Sequence, residues 1–402
     1  MTRKGTWDLQ GVRDKQLQSL WSQYYELYMW GEQTTGQLGQ NNNTNKDSPV
    51  QIPGTNWSVI CQQRCNDDNE TLHYLSIKDV NTLWVWGGNN NGCLGLNAPE
   101  NSHRSSPTQI PGTNWAYATT GSFCGYGVKT DGTLWTWGIN SKGALGLNQT
   151  ANNVRYSSPV QIPGTTWSTN PDHAAAGLHA CHWMKTDGTL WAWGANETGG
   201  LGQNNKTYYS SPVQIPGTTW KYLGGVRNCM NAIKTDGTMW GWGSAGLALG
   251  LNSQTEYSSP KQIPGTTWDS CVCSSSNGLG HKTDGTLWVW GNNNSGRLGL
   301  SETDNRMVRS PEQIAGTTWS TKFSLKNTGK CTFAIKTDGT MWAWGFNNNR
   351  ELGAPGPTSQ RSSPIQIGAD ASSTLNNYWT DVSCAGYHGA KAFQAALTPS
   401  QV

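Results

Sequence analysis

KTDGTLWTWG, residues 129–138, carries the pattern from which the fold is read. Asp131-Gly132 is a two-residue hairpin turn of the kind that accepts positive φ. After it, Trp135, Thr136 and Trp137 alternate, so both indoles lie on one face of a strand. Outward from this core the unit reads WAYATTGSFCGYGVKTDGTLWTWGINSKGALGLNQTANNVRYSSPVQIPG from Trp115, and it decodes into four strands. Strand A follows Trp115, strand B runs to Lys129 and strand C covers 134–138. After an Asn/Gly-rich loop, strand D covers 159–162, and Pro163-Gly164 makes a type II turn into Trp167.

The Trp-Gly that ends strand C recurs at Trp30, Trp86, Trp137, Trp193, Trp242, Trp290 and Trp344, at intervals of 56, 51, 56, 49, 48 and 54. Seven units of four antiparallel strands, with no helical period between them, predict an all-β fold: a seven-bladed β-propeller of four-stranded antiparallel blades. A linear solenoid is the competing repeat architecture, and the ends of the repeat speak against it. The repeat enters at a strand C, residues 26–31, and leaves on a strand A from Trp379 and a strand B over 389–394. These halves sum to one blade, so the ring is expected to close by pairing the C-terminal strands with the N-terminal strands. The expected organisation is 1–25 as an amphipathic anchor or cap, 26–395 as the propeller and 396–402 as a tail.

Composition narrows the function classes. The 402 residues carry 28 Lys+Arg against 25 Asp+Glu, a net charge of +3, so no strong field favours nucleic acid. Against only 5 Phe stand 23 Trp and 13 Tyr, which supply the apolar mass that scarce aliphatics do not. Twenty of the 23 Trp occupy repeat positions, which marks them as core between blades and not as sugar-stacking platforms. Trp7, Trp21 and Trp183 fall outside the repeat. No run of about 18 apolar residues exists, and the first 25 residues lack the apolar core of a signal peptide, so synthesis in a cytosol without membrane insertion is expected. The 10 Cys lack the paired spacing of a disulfide scaffold and are expected to be mostly free thiols.

From Trp30 to about Gln394 the units resemble the regulator of chromosome condensation repeat, in KTDGTLWTWG with GALG and in KTDGTLWAWG with GGLG. The resemblance implies a seven-bladed propeller and little about activity, because the family's members include a nucleotide-exchange factor, ubiquitin-ligase modules and a bacterial protein inhibitor. The first unit lacks the TDG turn, the second has Asp79-Val80-Asn81 there, and the sixth has IAGTTW in place of IPG. Cys124, Cys229 and Cys331 stand near the place of the family's frequent His, and no basic tail suggests chromatin. The near-identical SPVQIPGTTW and KTDGTLW wording is also similar to that of repeat-bearing virion proteins of tailed bacteriophages.

In an antiparallel meander the A–B and C–D connections emerge at one end and the B–C and D–A connections at the other. Near-constant TDG and PGTTW turns build the second end, whereas every length change falls on the first, where recognition is expected. Three residues before the strand D proline stand Lys46, Arg104, Tyr156, Tyr209, Tyr257, Val308 and Arg361. The six basic or phenolic residues among them are the candidate partner-binding set, and they equally suit stacking cover over neighbouring indoles. Trp7, Leu17, Leu20 and Trp21, with Leu9 and Val12, form an imperfect helical stripe and the candidate anchor.

Metal and catalytic chemistry are not expected. His179, Cys181 and His182 cluster, but Cys181 and His182 are adjacent and point to opposite faces of one strand. Cys271 and Cys273 share one face of a single strand and cannot easily bridge. Asp131, Asp187, Asp236, Asp284 and Asp338 recur once per unit as turn formers. No nucleophile triad or phosphate loop is present, and no cofactor is expected. The expected protein is a non-enzymatic bacteriophage virion component, a tail or capsid appendage assembled in the host bacterial cytoplasm. It would contact other virion proteins, or a host cell-surface glycan or protein, through its loop-rich face. The alternatives are a bacterial protein-binding propeller, inhibitor or scaffold, and a carbohydrate-binding, lectin-like propeller.

Overall fold

The structure is a computed structural model. It describes residues 25–31, 35–54, 56–60, 73–78, 81–151, 154–177, 179–226, 229–244, 247–274, 276–302, 305–325, 331–348, 351–353, 359–367, 379–385 and 388–395. The candidate anchor residues Trp7, Leu17, Leu20 and Trp21 lie outside them.

The first strands are β1 (Tyr25–Gly31), β2 (Lys46–Gln51), β3 (Trp57–Ile60), β4 (His73–Lys78), β5 (Thr82–Gly87) and β6 (Arg104–Gln109). One meander follows as β7 (Trp115–Thr120), β8 (Cys124–Lys129), β9 (Leu134–Ile139) and β10 (Arg155–Ile162). The next is β11 (Ala174–Ala176), β12 (Ala180–Met184), β13 (Leu190–Gly194) and β14 (Tyr209–Ile215). After it come β15 (Trp220–Val226), β16 (Cys229–Lys234), β17 (Met239–Gly243) and β18 (Tyr257–Ile263). Then stand β19 (Trp268–Cys273), β20 (Asn277–Lys282), β21 (Leu287–Asn292) and β22 (Met307–Gln313). The last meander is β23 (Trp319–Leu325), β24 (Cys331–Lys336), β25 (Met341–Gly345) and β26 (Arg361–Ile367), and β27 (Trp379–Ala385) and β28 (His388–Ala395) end the series.

These strands form an all-β propeller of six sheets, five with four strands and one with eight. The expectation of seven separate four-stranded blades is thereby corrected. One backbone pairing is responsible: Tyr25 of β1 pairs with Trp57 of β3 and fuses β27, β28, β1 and β2 with β3 to β6 into a single sheet. Within that sheet β28 runs antiparallel to β1, with Glu26 opposite Gln394 and Tyr28 opposite Ala392.

The Trp-Gly dipeptide explains how neighbouring units hold together. Trp137 is fully buried, and its indole N–H donates to the Cys93 carbonyl of the preceding unit at 2.9 Å. The same bond joins Trp193 to Ala144 O at 2.9 Å, Trp242 to Gly200 O at 2.9 Å and Trp290 to Ala248 O at 2.6 Å. Trp30 donates to Glu351 O at 3.2 Å, from the first strand to the last described loop. In return, each loop donates a backbone N–H to the next unit: Asn97 to Ser157 O at 2.7 Å, Asn148 to Ser210 O at 2.8 Å, Asn204 to Ser258 O at 2.6 Å. The glycine is required because Gly138 has φ +98 and a Cβ there would stand 2.2 Å from the Phe123 carbonyl oxygen.

Trp183, which periodicity leaves unassigned, is core. It is fully buried in β12, donates to Ser168 O at 2.9 Å and packs 6.1 Å from the Tyr117 ring of the preceding sheet.

Candidate functional site

At the end built from constant turns, every residue of KTDGTLW has a structural task. Asp131 Oδ1 accepts from the Thr133 backbone N–H at 2.9 Å and from its hydroxyl at 2.7 Å, closing the turn. Thr133 Oγ1 in turn accepts from the Trp135 indole at 3.0 Å. Lys129 Nζ sits 5.2 Å from the Trp115 ring and 4.6 Å from the Trp135 ring, so one ammonium covers two indoles. Lys78, Lys185, Lys234, Lys282 and Lys336 repeat the arrangement. The cation–π cover expected of the residues before the strand D proline is therefore supplied by these lysines.

The turns also join neighbouring units. The Trp167 backbone N–H donates to Gly132 O at 3.1 Å, Trp268 to Gly237 O at 3.0 Å and Trp379 to Gly339 O at 2.8 Å. Asp131, Asp187, Asp236, Asp284 and Asp338 are all held below the usual carboxylate range, chiefly by the hydrogen bond from the Thr two residues on. Ionised, hydrogen-bonded and confined to turns, they are poor proton shuttles. This end is closed by its own bonds.

At the other end, the candidate partner-binding residues all occupy one register. Lys46, Arg104, Tyr156, Tyr209, Tyr257, Val308 and Arg361 each pair opposite the Gly of Trp-Gly, beside a bulge. One stands on each outer strand, so the structure does not bring them together. All are half-buried except Val308, which is buried. Several polar tips are already engaged with their own loop. Gln149 donates to Tyr156 Oη at 2.8 Å, Asn205 donates to Tyr209 Oη at 3.0 Å, and Arg104 donates to the Ser102 and His103 carbonyls at 3.3 and 3.2 Å. These residues brace the loops.

The exposed position is the one immediately before. Asn45, His103, Arg155, Tyr208, Glu256, Met307 and Gln360 are all exposed, and no two share a residue type. The two large apolar residues with the greatest exposure, Tyr208 at 45% and Met307 at 53%, both stand here. The signal was present in the sequence as a position of high variety next to a regular one. Spacing from proline drew attention to the regular neighbour instead.

Charges on this end are spent on joining loops of adjacent units. Arg155 pairs with Glu100 at 2.6 Å, Lys206 with Glu256 at 2.7 Å, and Lys142 with Glu197. Burial pushes the Glu197 carboxyl up, but hydrogen bonds from Lys142 and Tyr208 outweigh it and hold it below the usual range. Their shared hydrogen bond correspondingly raises the Tyr208 phenol. Phe123 and His179, from the β7–β8 and β11–β12 connections, stack with centroids 6.4 Å apart and an angle of 25°. What results is a set of braced loops carrying apolar tips among neutralised charges.

Among the described residues no group of three or more His, Cys, Asp or Glu could hold a metal ion. The His182 ring N–H donates to the Gly200 carbonyl at 2.9 Å, and burial lowers its pKa to about 4. Among those residues no helix is long and apolar enough to cross a membrane.

The family profile described as the RCC1-like domain matches residues 26–390. The ultraviolet-B receptor UVR8 of Arabidopsis thaliana is 27% identical over 215 residues, 51% of this chain and 46% of that protein. The E3 ubiquitin-protein ligase HERC2 of Homo sapiens is 26% identical over 199 residues, 48% of this chain and 4% of that protein. Alignment thus covers less than half the length of these curated relatives. Among solved structures, Prp20p from Saccharomyces cerevisiae superposes with a TM-score of 0.79 at 17% identity, covering 95% of this chain and 94% of that one. Human WBSCR16 gives 0.77 at 17% identity over 93% and 99%. At such identities the likeness shows the fold alone.

Proposed function

The chain belongs to the RCC1-like domain family, and from that premise we propose that it is a non-enzymatic, protein-binding propeller that engages its partner through the loop-rich end. The observation that carries this reading is the exposed position before each outer strand, which holds seven different residue types while the opposite end repeats itself. Tyr and Met are residue types enriched at protein interfaces, and here they stand on braced loops, so little ordering entropy is lost on binding. An inhibitor or scaffold fits this surface. Gsp1p and histones, named with Prp20p, and Kap60, named as bound to yeast RCC1, illustrate protein partners among similar folds.

A virion appendage that binds other virion proteins is a narrower form of the same reading, supported by the near-identical wording of the repeats. Its test is mass spectrometry of purified particles, which should contain the chain in stoichiometric amount; absence from particles discards this form and leaves the protein-binding reading standing.

The general reading is tested with a partner captured from producing cells by the tagged full chain and identified by mass spectrometry. Tyr208→Ala with Met307→Ala should weaken binding at least tenfold, as hot-spot truncations do, while Thr218→Ala at the constant end leaves it unchanged. The opposite ranking would refute the assignment.

A further inference from the structure

Where a feature recurs in every unit it belongs to the architecture, so a departure found at only some interfaces is where a separate device is sought. One such departure is a pair of cysteines. Cys229, the first residue of β16, and Cys273, the last of β19, belong to adjacent sheets, and their sulfurs lie 3.4 Å apart. By strand register the corresponding positions elsewhere hold Cys124 with Ala176 and Cys331 with Cys384; the contact between sulfurs is seen for Cys229 and Cys273. Cys271, the neighbour two residues before Cys273, sits in a different buried cluster.

We propose that Cys229 and Cys273 are an oxidisable pair, and that peroxide converts them to a disulfide stapling the β15–β18 sheet to the β19–β22 sheet. The step is a two-electron oxidation. The Cys229 thiol, the less buried of the two at 2% against 0%, attacks one peroxide oxygen to give a sulfenic acid and release water. The Cys273 sulfur then displaces hydroxide from that sulfur, forming the S–S bond and releasing a second water. The two thiols lose two hydrogens, and hydrogen peroxide is reduced to two waters.

Geometry favours the second stage because the resolving sulfur is already in contact. Both thiols are held there by carbonyls: Cys229 donates to Ser274 O at 2.8 Å and Cys273 to Gly224 O at 3.1 Å. Burial limits the access of peroxide to both thiols, so reaction is slow and is followed over hours. The link joins residues 44 apart and would hold together two sheets that otherwise meet only through side chains and loop hydrogen bonds.

The test uses the full chain, reduced, freed of reductant and treated with hydrogen peroxide while folded, then alkylated and digested with trypsin. Peptide 228–234 should appear linked to peptide 262–282, and dithiothreitol should separate them. The link should persist in Cys271→Ser and vanish in Cys273→Ser. Oxidised wild-type protein should melt at a higher temperature than reduced, a difference absent from Cys273→Ser. Alkylation of both cysteines after prolonged peroxide treatment, or a link that runs through Cys271, overturns the proposal. Should the serine variants fail to fold, fragment ions that place the link on Cys273 or on Cys271 within peptide 262–282 of the wild-type chain decide it.

Discussion

A single tryptophan shows how closely residue type and position are coupled here. Trp137 fills the space between units and also donates to the Cys93 carbonyl, so Trp137→Phe keeps much of the packing but removes a buried hydrogen bond. We expect a loss of about 1 to 3 kcal/mol, read from urea denaturation. His182 gives a pH signature. Its folded pKa, about 4, lies below the ordinary value of 6.5, so the unfolded chain binds the proton more readily. Stability is therefore present in full above pH 6.5 and declines as pH falls toward 4, by up to about 3 kcal/mol from this group. His182→Gln, which can still donate to Gly200 O, should melt at nearly the same temperature at pH 7 and lose less on going to pH 4.5. An unchanged pH slope would mean that His182 is not the group responsible. At this scale the sequence was legible where a residue repeats: the Trp-Gly pairs are as read. The Asp-Gly turns are one residue longer than the two-residue hairpin expected, since the Gly132 N–H donates to Lys129 O and Gly132 alone of the loop takes positive φ. Trp183 was not legible, because its acceptor, Ser168 O, lies in the connection before β11 and no spacing reports it.

Strands and turns were legible for the same reason, with one instructive departure. Strand D of the third unit was expected over 159–162, yet β10 begins at Arg155. Pro159 cannot donate to the ladder, so the pairing skips from Tyr156 to Val160 across a bulge, and the four residues before proline still belong to the strand. That bulge sets the register in which Tyr156 faces its loop and the residue before it faces outward. The glycine opposite is the fixed point of the arrangement. Gly138→Ala forces a side chain into a positive-φ site whose Cβ would stand 2.2 Å from backbone oxygen, so it should cost roughly 2 to 3 kcal/mol, measured by denaturant titration. Gly112→Ala, where the nearest contact is 3.9 Å, carries only the backbone part of that cost and should be milder.

For the whole molecule, the repeat foretold the propeller but miscounted its sheets. A period reports what every unit shares, and the Tyr25–Trp57 pairing that merges two groups of strands occurs once. The candidate site was half legible for a related reason. Unequal loops drew attention to one end, while the regular residues Lys46, Arg104, Tyr156, Tyr209, Tyr257 and Arg361 are half-buried and several brace loops. The varied position beside them is the exposed one. The division of labour between the ends can be tested without knowing the partner beforehand. A photoreactive phenylalanine analogue is placed singly at 208 and 307 on the loop-rich end and at 165 and 218 on the constant end. Each full-length variant is irradiated in producing cells and the adducts are identified by mass spectrometry. The same protein should be captured from 208 and 307 and not from 165 and 218; capture from 165 and 218 alone would contradict the account.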